Sequence, residues 1–304
     1  MYGVRSVKIW QAPASRLLRS ERTAHLHNIV RTPLAALAAL LACGRAVGAD
    51  APCSSPSPDC AVVGRWEISA SFGLGARSNP IIGKSDTPLV VIPRISYYGK
   101  RVFLENLDFG VTLHESEANT LNLIATPGYD RAFFFHNDLQ NIFIPGGTSF
   151  SSGAPVPASG VEFEVSARHT TYLVGPEWTF STGRISGQLD ALREVTGEHD
   201  GYEVRAAVAS PLFEGSKGSL VASMGLTWKS EEIVRYYYGV RQLYEPGSAL
   251  NPFVKLRYSR PLSDRWTINA FAHYEYLASA IAESPVVAEE HVTTVFAGVA
   301  FRVH

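Results

Sequence analysis

The sequence contains few cysteines, little net charge and, beyond residue 49, no long apolar run. Its 304 residues include 3 cysteines and carry a formal net charge of −1. That balance excludes a strongly basic nucleic-acid binder and a polybasic membrane-surface protein. A membrane-spanning helix needs about 20 consecutive apolar residues. If the mature chain crosses a membrane, it must therefore cross as β-strands.

Motifs of catalysis and cofactor binding are also missing. The sequence has no G-x-S-x-G nucleophile elbow, no H-E-x-x-H zinc helix and no glycine-rich phosphate loop. The histidines beyond residue 49 stand singly: His114, His136, His169, His199, His273, His291 and His304. A Ser, His and Asp set picked from different strands would be arbitrary. We predict no catalytic residue, no metal site and no cofactor; the alternative is an enzyme acting on lipid or envelope substrates.

The N-terminal region has the pattern of an export signal. Arg31 precedes the apolar run Leu34–Ala42, and Val47 and Ala49 supply the small residues of a cleavage site before Asp50. The run is too short for a spanning helix. We predict a signal peptide within residues 1–49, whose overlong start suggests that translation begins further along, as at Val30.

The cysteines fit an exported chain. Cleavage after Ala49 leaves Cys53 and Cys60, and an even number of cysteines in an exported protein favours a disulfide, here within residues 50–64. A metal site is the alternative, but Asp59 alone supplies too few further ligands. Cys43 offers a second alternative, because LLAC at residues 40–43 is similar to a lipoprotein cleavage box.

From residue 65 the sequence alternates with a period of two, which predicts β-strands. In the stretch DRWTINAFAHYEYL (264–277), Trp266, Ile268 and Tyr276 share an apolar face, while Thr267 lies on a mostly polar face. Many such strands of about ten residues with aromatic ends are typical of outer-membrane barrels rather than of soluble sandwiches. We predict an all-β, antiparallel, up-and-down transmembrane barrel over residues 65–304, in contact with outer-membrane lipid.

The number of strands is less clear from the pattern. Eleven strands can be counted, but a bacterial barrel of one chain has an even number. The apolar phase slips within Val102–His114, so a turn or bulge near Glu105–Asp108 is one solution and a strand at Val161–Ser166 is another. We predict twelve strands, with ten as the alternative. Short turns at 181–183, 211–217 and 260–264 would face the periplasm, and the side of the long break at 130–160 stays open.

Charged and polar side chains on the other strand faces are candidates for lining the lumen. They are Glu67, Glu203, Arg205, Lys255, Arg257, His273 and Glu275. They fit a structural network of polar groups better than a set of selectivity residues or a proton-responsive gate. The tyrosines at 236–238 (Tyr236, Tyr237, Tyr238) fit an interfacial girdle and loop anchor, or a recognition surface.

Several blocks of the sequence resemble one family. They are Gly73 and Gly75 beside NPIIGKSDTPLVVIP (79–93), SYYGKRVF (96–103), GEHDGYEV (197–204), WKSEEIVRYYYGV (228–240), YEPG (244–247) and AESPVV (282–287). Their order resembles the MipA/OmpV family of MltA-interacting outer-membrane proteins. The resemblance implies an outer-membrane barrel that acts as a non-catalytic scaffold, with a murein lytic transglycosylase and a bifunctional murein synthase as partners. It also leaves a porin-like channel or an adhesin as alternatives.

Overall fold

A computed structural model describes residues 63–135 and 168–303 of the protein. Their strands form one closed antiparallel barrel in which β1 pairs with β12. The strands are β1 (Trp66–Arg77), β2 (Thr87–Tyr98), β3 (Val102–Glu105), β4 (Asp108–Glu115), β5 (Asn119–Pro127), β6 (Tyr172–Thr182), β7 (Ile185–Glu194), β8 (Tyr202–Gly215), β9 (Gly218–Lys229), β10 (Ala249–Pro261), β11 (Trp266–Tyr276) and β12 (His291–Arg302). The prediction of a twelve-stranded all-β barrel is confirmed.

The phase slip in the sequence marks a tight turn between β3 and β4. Glu105 pairs with Asp108, and Asn106 has φ of 56°, a left-handed conformation that asparagine tolerates. The hairpin is short, since β3 pairs with β2 only over Ser96–Tyr98. The turn therefore supplies the extra strand, while the alternative strand at 161–166 lies outside the described residues. Also outside the described residues are the predicted signal peptide, Cys43 and the predicted disulfide between Cys53 and Cys60.

One predicted turn is wrong in extent. Residues 211–217 do not form a seven-residue turn, because β8 continues through a β-bulge between Pro211 and Phe213 and ends at Gly215. The turn itself is only residues 216–217. Proline is tolerated at bulges, where the ladder of hydrogen bonds is already interrupted.

The outer face of the barrel is apolar. Leu74, Val254 and Leu256 point outward and are exposed in the isolated chain, as side chains in contact with lipid would be. Tryptophans mark the ends of strands, with Trp266 beside Phe301 at a ring distance of 4.8 Å. Among the described residues, no helix is long and apolar enough to cross a bilayer.

The two ends of the barrel differ. Short turns at 99–101, 116–118, 183–184, 216–217 and 262–265 lie at one end, which in outer-membrane barrels is the periplasmic end. Longer connections lie at the other end and contain a 3-10 helix (Tyr129–Phe133) and two α-helices, α1 (Glu231–Tyr238) and α2 (Ser279–Ala282). Glu231 and Glu232 occupy the first turn of α1, where negative charge is favourable to the helix dipole.

Candidate functional site

The long-loop end of the barrel is covered by one apolar cluster, which we call the cap. Leu173 lies on β6 and Val292 on β12, six strands apart in a ring of twelve, yet both belong to this cluster. Strands on opposite walls are thus connected through side chains that fill the space between them. The buried members are Ile81, Ile124, Phe133, Phe134, Leu173, Leu192, Ile233, Val234, Tyr237, Tyr238, Ala249, Leu277, Ile281, Val286, Val287 and Val292. The cap closes the mouth of the lumen.

Helix α1 places two of its three tyrosines inside the cap. Tyr237 and Tyr238 are fully buried, and the Tyr237 hydroxyl lies 3.0 Å from the hydroxyl of Thr171. Burial raises the pKa of both phenols. Only Tyr236 reaches the outer side, where its hydroxyl donates to Glu198 at 3.1 Å. The triplet is therefore an anchor within the cap rather than an exposed recognition patch.

Under the cap lies a buried ion pair. The Lys229 ammonium, at the end of β9, donates to both carboxylate oxygens of Asp130 at 2.7 and 2.6 Å, and the Tyr238 hydroxyl donates to the same carboxylate at 2.6 Å. Burial alone would raise the pKa of Asp130, but the Lys229 charge and these hydrogen bonds hold that pKa below its ordinary value. Asp130 stays ionised and ties the 3-10 helix to β9 and α1.

Further contacts fasten the cap to the neighbouring loops. The Ser284 hydroxyl donates to the Tyr238 carbonyl at 2.6 Å, which joins the connection before β12 to α1. Asn79 Nδ2 donates to the Phe133 carbonyl at 2.9 Å, and the Arg77 guanidinium lies 4.3 Å from the Phe133 ring centre. Loops from four parts of the chain are thereby held in one layer across the mouth.

Two histidines lie at the outer edge of the cap. His169 Nδ1 is 3.0 Å from both carboxylate oxygens of Glu198, and this hydrogen bond lowers the pKa of Glu198. The His199 ring lies 5.2 Å from the Tyr236 ring, and burial lowers the pKa of His199. The aromatic surroundings of His199 thus disfavour its protonated form, whereas His169 faces solvent.

The lumen residues predicted from the sequence separate into two groups. Glu203 and Arg205 form an ion pair on β8. Glu275 accepts a hydrogen bond from Asn251 Nδ2 at 3.1 Å, while His273 packs edge-on against Phe253 at a ring distance of 5.4 Å. His273 and Glu275 therefore have different partners and do not form a proton-sharing pair.

The second group lines a cavity of about 590 Å³ in the short-turn half of the lumen, which we call the vestibule. Glu67, Lys255 and Arg257 all line it. Its inner end is apolar, since Phe271 stacks on Phe296 at a ring distance of 5.8 Å, within a cluster that also contains Leu89 and Ile92. The vestibule is a cup that is open at one end, with the cap beyond its floor.

The buried ion pair has no signature in the sequence. Asp130 and Lys229 are 99 residues apart, and neither belongs to a local motif. A signal for α1 was present, because Ser230 precedes two glutamates and Arg235 follows in the last turn. Within the described residues, no group of three or more His, Cys, Asp or Glu side chains is arranged to hold a metal ion.

Comparison with protein families gives a match over most of the chain. The model of the family described as "MltA-interacting protein MipA" matches residues 72–303. An outer membrane protein of Escherichia coli O157:H7 named YiaT is 23% identical over 248 residues, which are 78% of this chain and 91% of that protein. The MltA-interacting protein of Escherichia coli K12 is 24% identical over 102 residues, 30% of this chain and 41% of that protein.

Solved structures give a weaker likeness. A porin refined at 1.8 Å is 9% identical with a TM-score of 0.30, covering 78% of this chain and all of the porin. A FadL homologue of Pseudomonas aeruginosa is 10% identical with a TM-score of 0.27, covering 78% of this chain and 85% of that one.

Proposed function

Because the chain belongs to the family described as MltA-interacting protein MipA, whose model spans residues 72–303, we propose that it is a non-catalytic scaffold for murein-remodelling enzymes. It is an outer-membrane barrel, and its partners in this proposal are a murein lytic transglycosylase and a bifunctional murein synthase. The name of one relative, MltA-interacting protein, supports the first partner.

The cap is the observation that carries this proposal. Side chains from opposite walls meet in it, and its central members Tyr238 and Ile281 are fully buried. A lumen closed in this way is unsuited to free diffusion of solutes. The short-turn end is left as the surface that faces murein, because short turns of outer-membrane barrels are periplasmic.

Side-chain chemistry supports a non-catalytic role. The buried carboxylate of Asp130 is saturated by Lys229 and Tyr238, and the half-buried ring of His199 packs against Tyr236 and Tyr237. A general base needs access to a substrate proton. Groups that are held inside the cap suit structure better than proton transfer.

Site-specific crosslinking tests the scaffold. Single cysteines at the exposed turn positions Lys100, Glu117 and Lys217 would carry a photocrosslinker, with cysteines at Lys84 and Leu243 on the long-loop end as matched controls. The chain would be inserted into vesicles and incubated with a purified lytic transglycosylase of the MltA type. We expect crosslinks from the short-turn positions only. Equal labelling from both ends, or none, would reject docking at the periplasmic turns.

A porin-like channel is the alternative that the cap disfavours most directly. Planar-bilayer recording should show no steady conductance, because the mouth is filled with side chains. Steady ion flow through the unmodified protein would reject the closed lumen and restore the channel. An adhesin would act through the long-loop end, and none of the contacts described there favours that role.

A further inference from the structure

The vestibule has the chemistry of a binding site. Its volume of about 590 Å³ lies within the range of pockets that hold small ligands, about 300–1,000 Å³. The apolar cluster around Phe271 and Phe296 closes its inner end. A ligand must therefore enter from the short-turn end, which is the periplasmic side.

Positive charge lies deep in the vestibule. Lys255 and Arg257 are two residues apart on β10, so both side chains point into the lumen, with backbones about 7 Å apart. Lys255 stands six residues before the end of β10 at Pro261, about 20 Å along the strand. Its ammonium lies 5.8 Å from the centre of the Phe271 ring. Within the part of the chain that the structure describes, no carboxylate lies within 4 Å of Lys255.

The carboxylates of the vestibule are placed elsewhere. Glu105 accepts a hydrogen bond from Arg94 at 2.8 Å. Glu214 lies 3.8 Å from Arg184, and both Glu67, the second residue of β1, and Asp264, in the turn before β11, lie close to the open end. Negative charge is thus either paired or near the rim, and the deep part favours an anion.

Asn269 lies beside these cations in the vestibule wall. Its Nδ2 donates to the Ser71 hydroxyl at 2.8 Å, and its Oδ1 is buried, with no surface open to the cavity. This amide therefore braces the wall across the lumen, and the hydroxyl groups nearby are the acceptors that a ligand could reach.

The remaining wall combines hydroxyl groups with a small apolar surface. Ser69, Ser223 and Ser259 line the cavity, and Phe271 and Ile92 contribute apolar contacts. A simple inorganic anion would leave the hydroxyls and Phe271 without partners. A fatty acid would place its chain against the serines. An acidic molecule with amide or hydroxyl donors and short methyl groups fits all of these features.

We propose that the vestibule binds a carboxylate-bearing N-acyl amino-sugar peptide, the chemistry of a murein fragment. Lys255 would bind the carboxylate, the Ser223 and Ser259 hydroxyls would bind an amide, and Phe271 would contact an acetyl or lactyl methyl group. This inference rests on the proposed function in one respect, namely that murein is the source of the ligand.

Calorimetric titration of the full barrel in detergent micelles tests the site. The probes are N-acetylmuramoyl-L-alanyl-D-isoglutamine, the neutral sugar N,N′-diacetylchitobiose, and laurate. We expect binding of the muramoyl peptide and at least about tenfold weaker binding of the other two, since a hydrogen bond to a charged group is lost or the donors are missing. Lys255→Met should weaken the muramoyl peptide at least about tenfold, and Lys255→Arg should retain most of the affinity.

Lys84→Met is the matched control, because Lys84 is exposed on the long-loop end and outside the vestibule. Retention of heat-modifiable migration on electrophoresis shows that each variant is folded, and Lys255→Gln, for which the same loss of affinity is expected, replaces Lys255→Met if that variant does not fold. Equal affinity in Lys255→Met, or equal binding of the neutral sugar, would overturn the proposal. Tighter binding of laurate than of the muramoyl peptide would overturn the assignment of a murein fragment as the ligand. The titration contains no enzyme, so a failed search for docking partners leaves its result unaffected.

Discussion

The cap and the vestibule each contain an ion pair, and the two pairs differ in burial rather than in geometry. Lys229 and Asp130 are 2.6 Å apart with side chains 9% and 4% exposed. Arg94 and Glu105 are 2.8 Å apart with side chains 46% and 39% exposed. Water can replace either partner in the vestibule, whereas neither charge under the cap has another partner of opposite sign in hydrogen-bonding contact among the residues that the structure describes. The comparison shows that one half of the lumen is a dry structural core and the other half is a solvated cup.

The largest effect is expected where the dry core loses one charge. Lys229→Met leaves the Asp130 carboxylate buried without its cation, which should reduce the free energy of unfolding by about 3–5 kcal/mol. Urea unfolding in detergent micelles measures it. The double variant Lys229→Met with Asp130→Asn should recover much of the loss, because no uncompensated charge remains. A Lys229→Met variant as stable as the unmodified protein would show that water reaches the pair.

A smaller loss is expected from a hole in the apolar part of the cap. Ile281 on α2 is fully buried, and Ile281→Ala should cost about 2–4 kcal/mol of cap stability through lost contacts and a cavity. The strand pairs of the barrel are untouched, so the barrel should stay folded while brief conductance events appear in planar bilayers. Leu74→Ala, on the lipid face, serves as the control and should leave the lumen silent.

A still smaller, pH-dependent effect is expected at the edge of the cap. Burial lowers the pKa of His199 in the folded protein, so as pH falls below about 6.5 the unfolded chain binds a proton that the folded chain resists. The free energy of unfolding should therefore decrease between pH 8 and pH 5, and His199→Gln should flatten this dependence. At pH 8 His199 is neutral in both the folded and the unfolded chain, so the free energy of unfolding at that pH provides the reference. An unchanged slope in His199→Gln would assign the effect to other groups.

The smallest effect is expected in the vestibule. Arg94→Gln removes an ion pair that is largely exposed to solvent, and exposed pairs contribute about 0–1 kcal/mol. The urea midpoint should hardly move, and added salt should remove any difference. A loss comparable to that of Lys229→Met would mean that the vestibule is as dry as the cap.

The strands could be predicted from the sequence because each carries its own signal. Alternation along Trp266–Tyr276 places every second side chain toward lipid, and this needs no knowledge of distant residues. The phase slip near Leu107 likewise marked the extra turn. The same rule places Lys255 and Arg257 on one face of β10. It does not show whether that face borders an open cavity or a filled interior.

The cap could not be predicted in the same way. Its members come from short segments such as Tyr129–Phe133 and Ser279–Ala282, which are too brief to show helical periodicity. Tyr238 meets Asp130 across 108 residues of sequence, and only the closed barrel brings them together. The pattern of Tyr236–Tyr238 predicts an interfacial girdle and loop anchor or a recognition surface, and tertiary packing decides that Tyr237 and Tyr238 are buried.

The pairing of β1 with β12 has a consequence for how the molecule is made. Ser69 pairs with Arg302, so the seam joins residues from opposite ends of the described chain. Glycines bring the two backbones together there, since a Cβ at Gly73 would collide with the Ala297 carbonyl and one at Gly298 with the Phe72 carbonyl. Contacts this distant in sequence form late and slowly, because a long loop must close first. Until β12 arrives, the nascent sheet has two unpaired edges, and the seam is the last place in the barrel where backbone hydrogen-bonding groups find their partners.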